Sequence, residues 1–228
     1  MRYLAYMTSR LLAKVLLTPV VSPRVMHAEV TSRPGPWILA ANHISHFDPP
    51  LIGVVARRKV DWMAMVELFE HPAVATWMRS IDSFPVDRAR VDRQAVRTAL
   101  DRLKQGHVVG MFPEGGIRDG QHSVLEGAPM RPGVGALAQM SGAPVLPCVI
   151  IGSDRLYTKE RWLRPRRTPV WIGFGEELHC NGTGKDARQQ FEQHLAEVLR
   201  QLYAEMRERF ALTSEDLPQP PMRRKGRQ

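Results

Sequence analysis

Two short stretches of this sequence set reactive side chains at spacings that chemistry uses. In Asn42-His43-Ile44-Ser45-His46-Phe47-Asp48 an imidazole precedes a carboxylate by five residues. If the chain turns between them, Asp48 accepts one imidazole N–H and fixes the tautomer. The other ring nitrogen of His43 is then left as a general base. This is part of a serine-type triad in which a substrate hydroxyl stands in for the serine, and no covalent acyl-enzyme is required. The same residues also fit a capping Asp48 beside a packed core histidine, or a metal site made of His43, His46 and Asp48. The metal option lacks an HExxH helix, and the other histidines are scattered, so no metal is expected.

The second stretch is Phe112-Pro113-Glu114-Gly115-Gly116-Ile117-Arg118. Glycines let backbone N–H groups approach an anion closely, and Arg118 is able to make paired hydrogen bonds to a phosphate. An ordinary strand-ending turn with a solvated arginine fits the same residues. Phe84-Pro85-Val86-Asp87-Arg88 supplies another arginine after a strand, whereas Arg90 and Arg93 suit a solvated helix face. The Gly133-Val134-Gly135 run imitates a dinucleotide fingerprint, but it follows Arg131-Pro132 and no strand, so helix packing is expected.

The elements that must position these groups alternate in type. Trp37 to Ala41 is predicted to be a buried strand that delivers Asn42 and His43 at its exit. A helix opening near Ser45 to Asp48 tolerates Pro49 and Pro50 in its first turn. Further strands are expected at Lys59 to Ala64, Ser80 to Val86, Val108 to Phe112, Val145 to Ile151 and Pro169 to Phe174. Helices are expected at 66 to 79, from Ala89 to Leu103, near 133 to 141 and at 185 to 209. Gly106 supplies a helix stop, and the glycine-rich loop sits at the C-terminal end of a buried strand, a common place for a site. The pattern predicts an α/β fold with a mainly parallel sheet flanked by helices on both faces.

With 228 residues, 43% of them hydrophobic and 24% charged, the chain suits one globular domain with a substantial core. The formal charge of +9 favours an anionic partner. Nucleic acid is not expected, because no finger, RNP signature or basic heptad region occurs. Cys148 and Cys180 are the two cysteines and give neither a disulfide framework nor a zinc site, which fits a reducing cytoplasm.

Residues 1–23 are expected to form an amphipathic membrane-associating helix. Ser9, Arg10 and Lys14 share one side with Arg2, and Leu4, Leu11, Leu12 and Val15 share the other. The segment is too interrupted to span a bilayer, and it lacks an Ala-x-Ala cleavage site. A helix packing its apolar face on the domain is the alternative. The uncharged run from Pro132 to Ser153 carries three prolines and four glycines and is expected to be a helix, a turn and a strand. Residues 24–213 form the expected domain, and 214–228 a basic flexible tail.

The order of NHISHFD, FPVDR, FPEGGIR and APVLPCVI resembles the four-block signature of the PlsC-type glycerolipid acyltransferases over roughly residues 37 to 152. The resemblance implies that His43 is the catalytic histidine and Asp48 its acidic partner. It also implies that Arg88, Glu114 and Gly115, with Gly116 and Arg118 alongside, hold a phosphorylated acceptor, and that Pro147 is structural. The implied substrates are a lysophospholipid acceptor, 1-acylglycerol-3-phosphate above all, and an acyl thioester on coenzyme A or acyl carrier protein. No bound cofactor is implied. The implied location is peripheral or monotopic, on the cytoplasmic face of a membrane with an anionic surface. The family pattern runs Phe-Pro-Glu-Gly-Thr-Arg, so Arg118 is displaced by one residue. Either the loop bulges and Arg118 still reaches a phosphate, or the acceptor differs. Met63, Met65, Leu68 and Phe69 are candidates for the acyl groove, but residues of this kind more often belong to a core, so they are not counted as site residues. Metal-dependent hydrolysis and a non-catalytic lipid-surface module are the rival functions.

Overall fold

The computed structural model describes residues 2–163 and 166–219. Seven strands form one sheet in the order β1-β7-β6-β2-β5-β3-β4. They are β1 (Val21–Met26), β2 (Trp37–Ala41), β3 (Val60–Met65), β4 (Phe84–Val86), β5 (Val108–Met111), β6 (Val145–Ile151) and β7 (Thr168–Phe174). Every pairing is parallel except β6 with β7. The strands β2 to β6 therefore all end on the same edge of the sheet.

β2 lies at the centre because all five of its residues are apolar and buried, which only a strand covered on both faces tolerates. Its side chains alternate between two cores. Ile38 and Ala40 join Val109, Val149, Leu195, Leu199 and Met206 on one face. On the other, Leu39 and Ala41 join Leu51, Ile52, Cys148 and Ile150. The first face is covered by α4 (Arg93–Lys104), α5 (Val134–Ser141) and α7 (Gly184–Arg209), and the second by α2 (Asp48–Val55) with α1 (Arg2–Leu17) outside it. α3 (Pro72–Ser80) and the short α6 (Lys159–Leu163) complete the helices among the described residues. The expected α/β architecture with helices on both faces is the observed one.

Several elements differ from expectation for local reasons. The predicted helix over 66–79 splits into a 3-10 turn, Val66–Phe69, and α3, because Pro72 fits only a first helical turn and His71 before it is extended. The predicted helix from Ala89 begins at Arg93, where the Asp92 side chain accepts the N–H groups of Gln94 and Ala95. Val21–Met26 was not expected as a strand, since Ser22, Pro23 and Arg24 interrupt it. It is an edge strand, where proline is tolerated. The segment 1–23 is thus not separate from the domain, for Val21 to Pro23 already pair with β7.

The tail expected from Ser214 is anchored over its first residues. Arg155 donates to the carbonyl of Glu215 and to Asp216 at 2.8 Å each, and Leu217 packs on the core. The basic run beyond it, 222–228, lies outside the described residues. At the false fingerprint, the N–H groups of Gly133 and Gly135 both donate to Glu192 of α7, at 2.9 and 3.1 Å, which is the helix packing expected.

The inner side of α1 buries Tyr6 and Leu17 together with polar groups. Arg10 turns inward and donates to the carbonyls of Val54 and Ala56 at the end of α2, at 3.0 and 2.8 Å. Ser9 accepts the indole N–H of Trp77 at 3.1 Å. Tyr3, Leu4, Leu11, Leu12, Val15 and Leu16 are exposed, as is Trp77. No helix among the described residues is long and apolar enough to cross a membrane.

Gly110 sets close packing between β5 and β3. A Cβ there would lie 2.5 Å from both Trp62 Cε3 and Val60 Cγ1. Gly110→Ala is expected to destabilise the fold by on the order of 1–3 kcal/mol through overpacking. The check is the denaturant midpoint at unchanged slope, and an unaltered midpoint would contradict the packing described.

Candidate active site

β2 ends in Asn42, whose buried amide bonds both ways to Ile150 of β6, donating to its carbonyl at 3.0 Å and accepting its N–H at 2.8 Å. The strand exit is thereby fixed, and the next residue is His43. Its Nδ1 lies 2.8 Å from Asp48 Oδ2. The Asp48 carboxylate is fully buried. The same oxygen accepts the N–H groups of Ile44 and Ser45 at 2.8 and 2.9 Å, and Oδ1 accepts the hydroxyl of Ser153. A carboxylate surrounded by donors in this way requires His43 to donate from Nδ1, so Nε2 carries the lone pair. The imidazole, 15% exposed, lies against Phe112 at 4.0 Å between centroids, and Phe112 in turn lies against Trp62 at 5.0 Å. Asp48 does not cap its helix, whose N-cap is Phe47 with no side-chain bond. Of the alternatives open in the sequence, the paired imidazole and carboxylate is the geometry formed.

The glycine-rich loop after β5 grips the backbone of His43 from both sides. Glu114 Oε2 accepts the His43 N–H at 2.6 Å, and the Arg118 N–H donates to the His43 carbonyl at 2.7 Å. Glu114 is only 4% exposed, and its other oxygen accepts the Ser123 hydroxyl and the Val124 N–H at 2.7 and 2.8 Å. Burial pushes its carboxyl above the ordinary range, against the opposing pull of these hydrogen bonds. Glu114, expected beside Gly115 to hold an acceptor, therefore has both oxygens engaged by the protein and acts on the position of His43. Gly115 adopts a left-handed conformation, φ 69°, and its N–H closes a turn onto the Phe112 carbonyl at 3.0 Å. With Gly116 and Ile117 between Gly115 and Arg118, the Arg118 backbone N–H reaches the carbonyl of His43.

Arg88 stands at the same edge, past the end of β4. Its loop is shaped by Asp92, which accepts the Asp87 N–H at 2.9 Å. The guanidinium donates to the Gly115 carbonyl at 3.2 Å and touches the sulfur of Met65 at 3.7 Å. Gly116 adjoins it, since a Cβ there would lie 3.4 Å from Arg88 Nη1. Arg90 pairs instead with Asp87 at 2.7 Å on the surface, and Arg93 is exposed on α4. His46 is turned away from the pair, with its N–H and Nδ1 on the Tyr157 hydroxyl at 2.9 and 2.5 Å. Among the described residues no three His, Cys, Asp or Glu side chains are grouped to hold a metal. Met63 packs on the core, Met65 adjoins Arg88, and Phe69 lies beneath Arg79 at 5.6 Å.

Ser153, Ser123 and the ring of Phe112 were not singled out by the sequence. Ser153 had a legible signal: it follows Gly152 at the end of a fully buried strand, the same place that marked His43 and Glu114. Ser123 gave none, because its contact with Glu114 depends on how the intervening loop folds.

The family model described as Acyltransferase matches residues 22–151. The chain is 29% identical over 167 residues to a 1-acyl-sn-glycerol-3-phosphate acyltransferase of Bacillus subtilis (strain 168), covering 73% of this chain and 78% of that protein. It is 27% identical over 118 residues to the protein of that name from Streptococcus pneumoniae (strain ATCC BAA-255 / R6), covering 51% of this chain and 42% of that one. Among solved structures it is similar to the 1-acyl-sn-glycerophosphate acyltransferase PlsC of Thermotoga maritima, with a TM-score of 0.65 and 25% identity over 93% of this chain and 83% of that one.

Glu114→Gln places an N–H group against the backbone or hydroxyl donors that Glu114 now satisfies. We expect kcat to fall on the order of 10²-fold through displacement of His43, with a small change in the acceptor KM. A rise in KM alone would put Glu114 on the substrate instead. A family model that matches more than half of the chain, across the strands and loops that build this site, makes the chain a member of the acyltransferase family and its chemistry an O-acyl transfer.

Proposed function

We propose that the chain moves a fatty acyl group from an acyl thioester, on coenzyme A or acyl carrier protein, to the free hydroxyl of 1-acylglycerol-3-phosphate. The product is phosphatidic acid, and the role is in phospholipid biosynthesis. The observation that carries this reading is the His43–Asp48 pair at 2.8 Å beside the Arg88 and Arg118 loops. The names of the similar acyltransferases support the acceptor.

The acceptor's phosphate docks on Arg88 and Arg118, which sets its hydroxyl at His43 Nε2. Nε2 takes the hydroxyl proton as the oxygen attacks the thioester carbonyl. Asp48 stabilises the imidazolium, and the C–S bond then breaks. The thiolate leaves with the proton from Nε2, so one ester and one thiol are formed and the histidine is restored. The Gly115–Gly116 turn lets backbone approach the developing oxyanion. His46, held by Tyr157, is outside this scheme, and the metal-dependent reading lacks its ligand group among the described residues.

The exposed leucines of α1 support peripheral attachment to a membrane, because Arg10 is used within the protein and the apolar side faces outward. Arg10 is thereby turned away from any headgroup. Exposed Lys14 and the +9 charge remain for an anionic cytoplasmic surface.

Purified protein incubated with a panel of lysolipids and both donors, with products resolved by mass, is expected to acylate 1-acylglycerol-3-phosphate best. His43→Ala is expected to lower the rate roughly 10²–10⁴-fold. Preference for another lysolipid would overturn the acceptor, and near-normal transfer by the folded His43→Ala protein would overturn the mechanism. Separately, sedimentation with phosphatidylglycerol-containing vesicles is expected for the native chain. Leu12→Asp with Leu16→Asp should weaken it by at least about tenfold, given some 1.5–3 kcal/mol for each buried leucine. Undiminished binding by a folded double variant would remove α1 from the contact.

A further inference from the structure

We infer that Arg131, in the segment before α5, is a third guanidinium of the anion pocket and a specificity residue for a phosphomonoester acceptor. The inference rests on the acceptor reading above. It starts from what fills the space over Gly115. A Cβ at that glycine would lie 2.3 Å from Arg131 Cδ, 2.8 Å from Nε and 3.2 Å from Cζ. The arginine side chain therefore runs across the turn where a residue-115 side chain would stand. Its backbone is tied to the same loop, with the Arg131 N–H donating to the Pro113 carbonyl at 2.9 Å.

Arg88 packs on the same turn, on the Gly115 carbonyl and near Gly116. Arg131 Nη1 donates to the Arg88 carbonyl at a long 3.3 Å. This is the one hydrogen bond of its guanidinium among the described residues, so most of its five donors are left for another acceptor. Two arginines thus share a two-glycine turn whose next cation, Arg118, has its amide on the carbonyl of His43.

None of the three is paired with a carboxylate among the described residues. Elsewhere the protein matches such groups: Arg102 with Asp61 and Asp82, Arg155 with Asp216, Arg33 with Glu176. The carboxylate of the same loop, Glu114, is spent on His43, Ser123 and Val124. Cations gathered without a counter-charge repel one another, and a dianionic phosphate relieves this more than a singly charged diester does. The N-terminus of α5 does not offer the anion a rival seat, because Glu192 already occupies the N–H groups of Gly133 and Gly135.

The test compares the native chain with Arg131→Gln and Arg131→Lys. The first readout is the acceptor KM, measured with 1-acylglycerol-3-phosphate, against the donor KM, measured with acyl-CoA, whose phosphates could occupy the same cations. The second is calorimetric binding of glycerol 3-phosphate, which needs no turnover. Unfolding midpoints accompany both. Arg131→Gln is expected to raise the acceptor KM and the dissociation constant of glycerol 3-phosphate roughly 10- to 100-fold, with smaller effects on kcat and on the donor KM. Arg131→Lys should recover part of the loss, since it keeps the charge and gives up the fork. Unchanged acceptor KM and binding in folded Arg131→Gln would overturn the inference and leave the acceptor reading standing, as would an effect confined to acyl-CoA. A native chain that neither binds glycerol 3-phosphate nor uses the lysophosphatidate would overturn both.

Discussion

The site depends on how a fully buried carboxylate is kept satisfied. Removing Asp48 from water is costly unless every lone pair is used. Four donors use them: the imidazole, two backbone N–H groups from the turn between His43 and Asp48, and the hydroxyl of Ser153. Two of those donors belong to the very residues that separate the pair in sequence. The five-residue spacing is therefore a geometric condition: the chain between imidazole and carboxylate must curl so that its own amides point at Asp48. Pro49 and Pro50, which lack N–H groups, are harmless there because they fall in the first helical turn, where no such donor is needed.

Rigidity at His43 follows from the sheet. Its N–H and C=O are held by the loop leaving β5, its ring by Phe112, and its partner by the residue leaving β6. Those are the strands on either side of β2. Parallel neighbours end on the same edge, so their exits converge on one point without any long connection having to reach it. The backing extends further: Phe112 stands on Trp62, and Trp62 has room only because its cross-strand partner is Gly110. A side chain chosen for its smallness in β5 thus bears on the placement of the base.

The parts of this fold that showed in the sequence are those whose signal is local. β2 and β6 matched their predicted ends because continuous buried runs bounded by Pro, Gly or polar residues have sharp edges. The His43–Asp48 pair was legible for the same reason, since five residues suffice to define it. β1 was missed because an edge strand needs no apolar alternation, and its partner β7 lies far along the chain. Glu114 was visible as a residue, but its hydrogen bonds were not: its partners Ser123 and Val124 are reached only after a loop whose shape no periodicity encodes. The side of α1 that turns inward was not legible, because it depends on the open carbonyls at the end of α2 that Arg10 satisfies.

Charge is distributed unevenly between the two edges of the sheet. At the edge where β3 and β5 begin, Lys59, Arg102 and His107 surround Asp61, and Asp82 shares Lys59 and Arg102, so acids and bases are matched. At the edge where β2 and β5 end, Arg88, Arg118 and Arg131 stand in neighbouring loops, and none of them pairs with a carboxylate among the described residues. Glu114 is kept from Arg88, Arg118 and Arg131 because the His43 N–H, the Ser123 hydroxyl and the Val124 N–H already hold it. One buried side chain therefore holds the backbone of the base, and all of its hydrogen bonds are spent there and on the loop that follows.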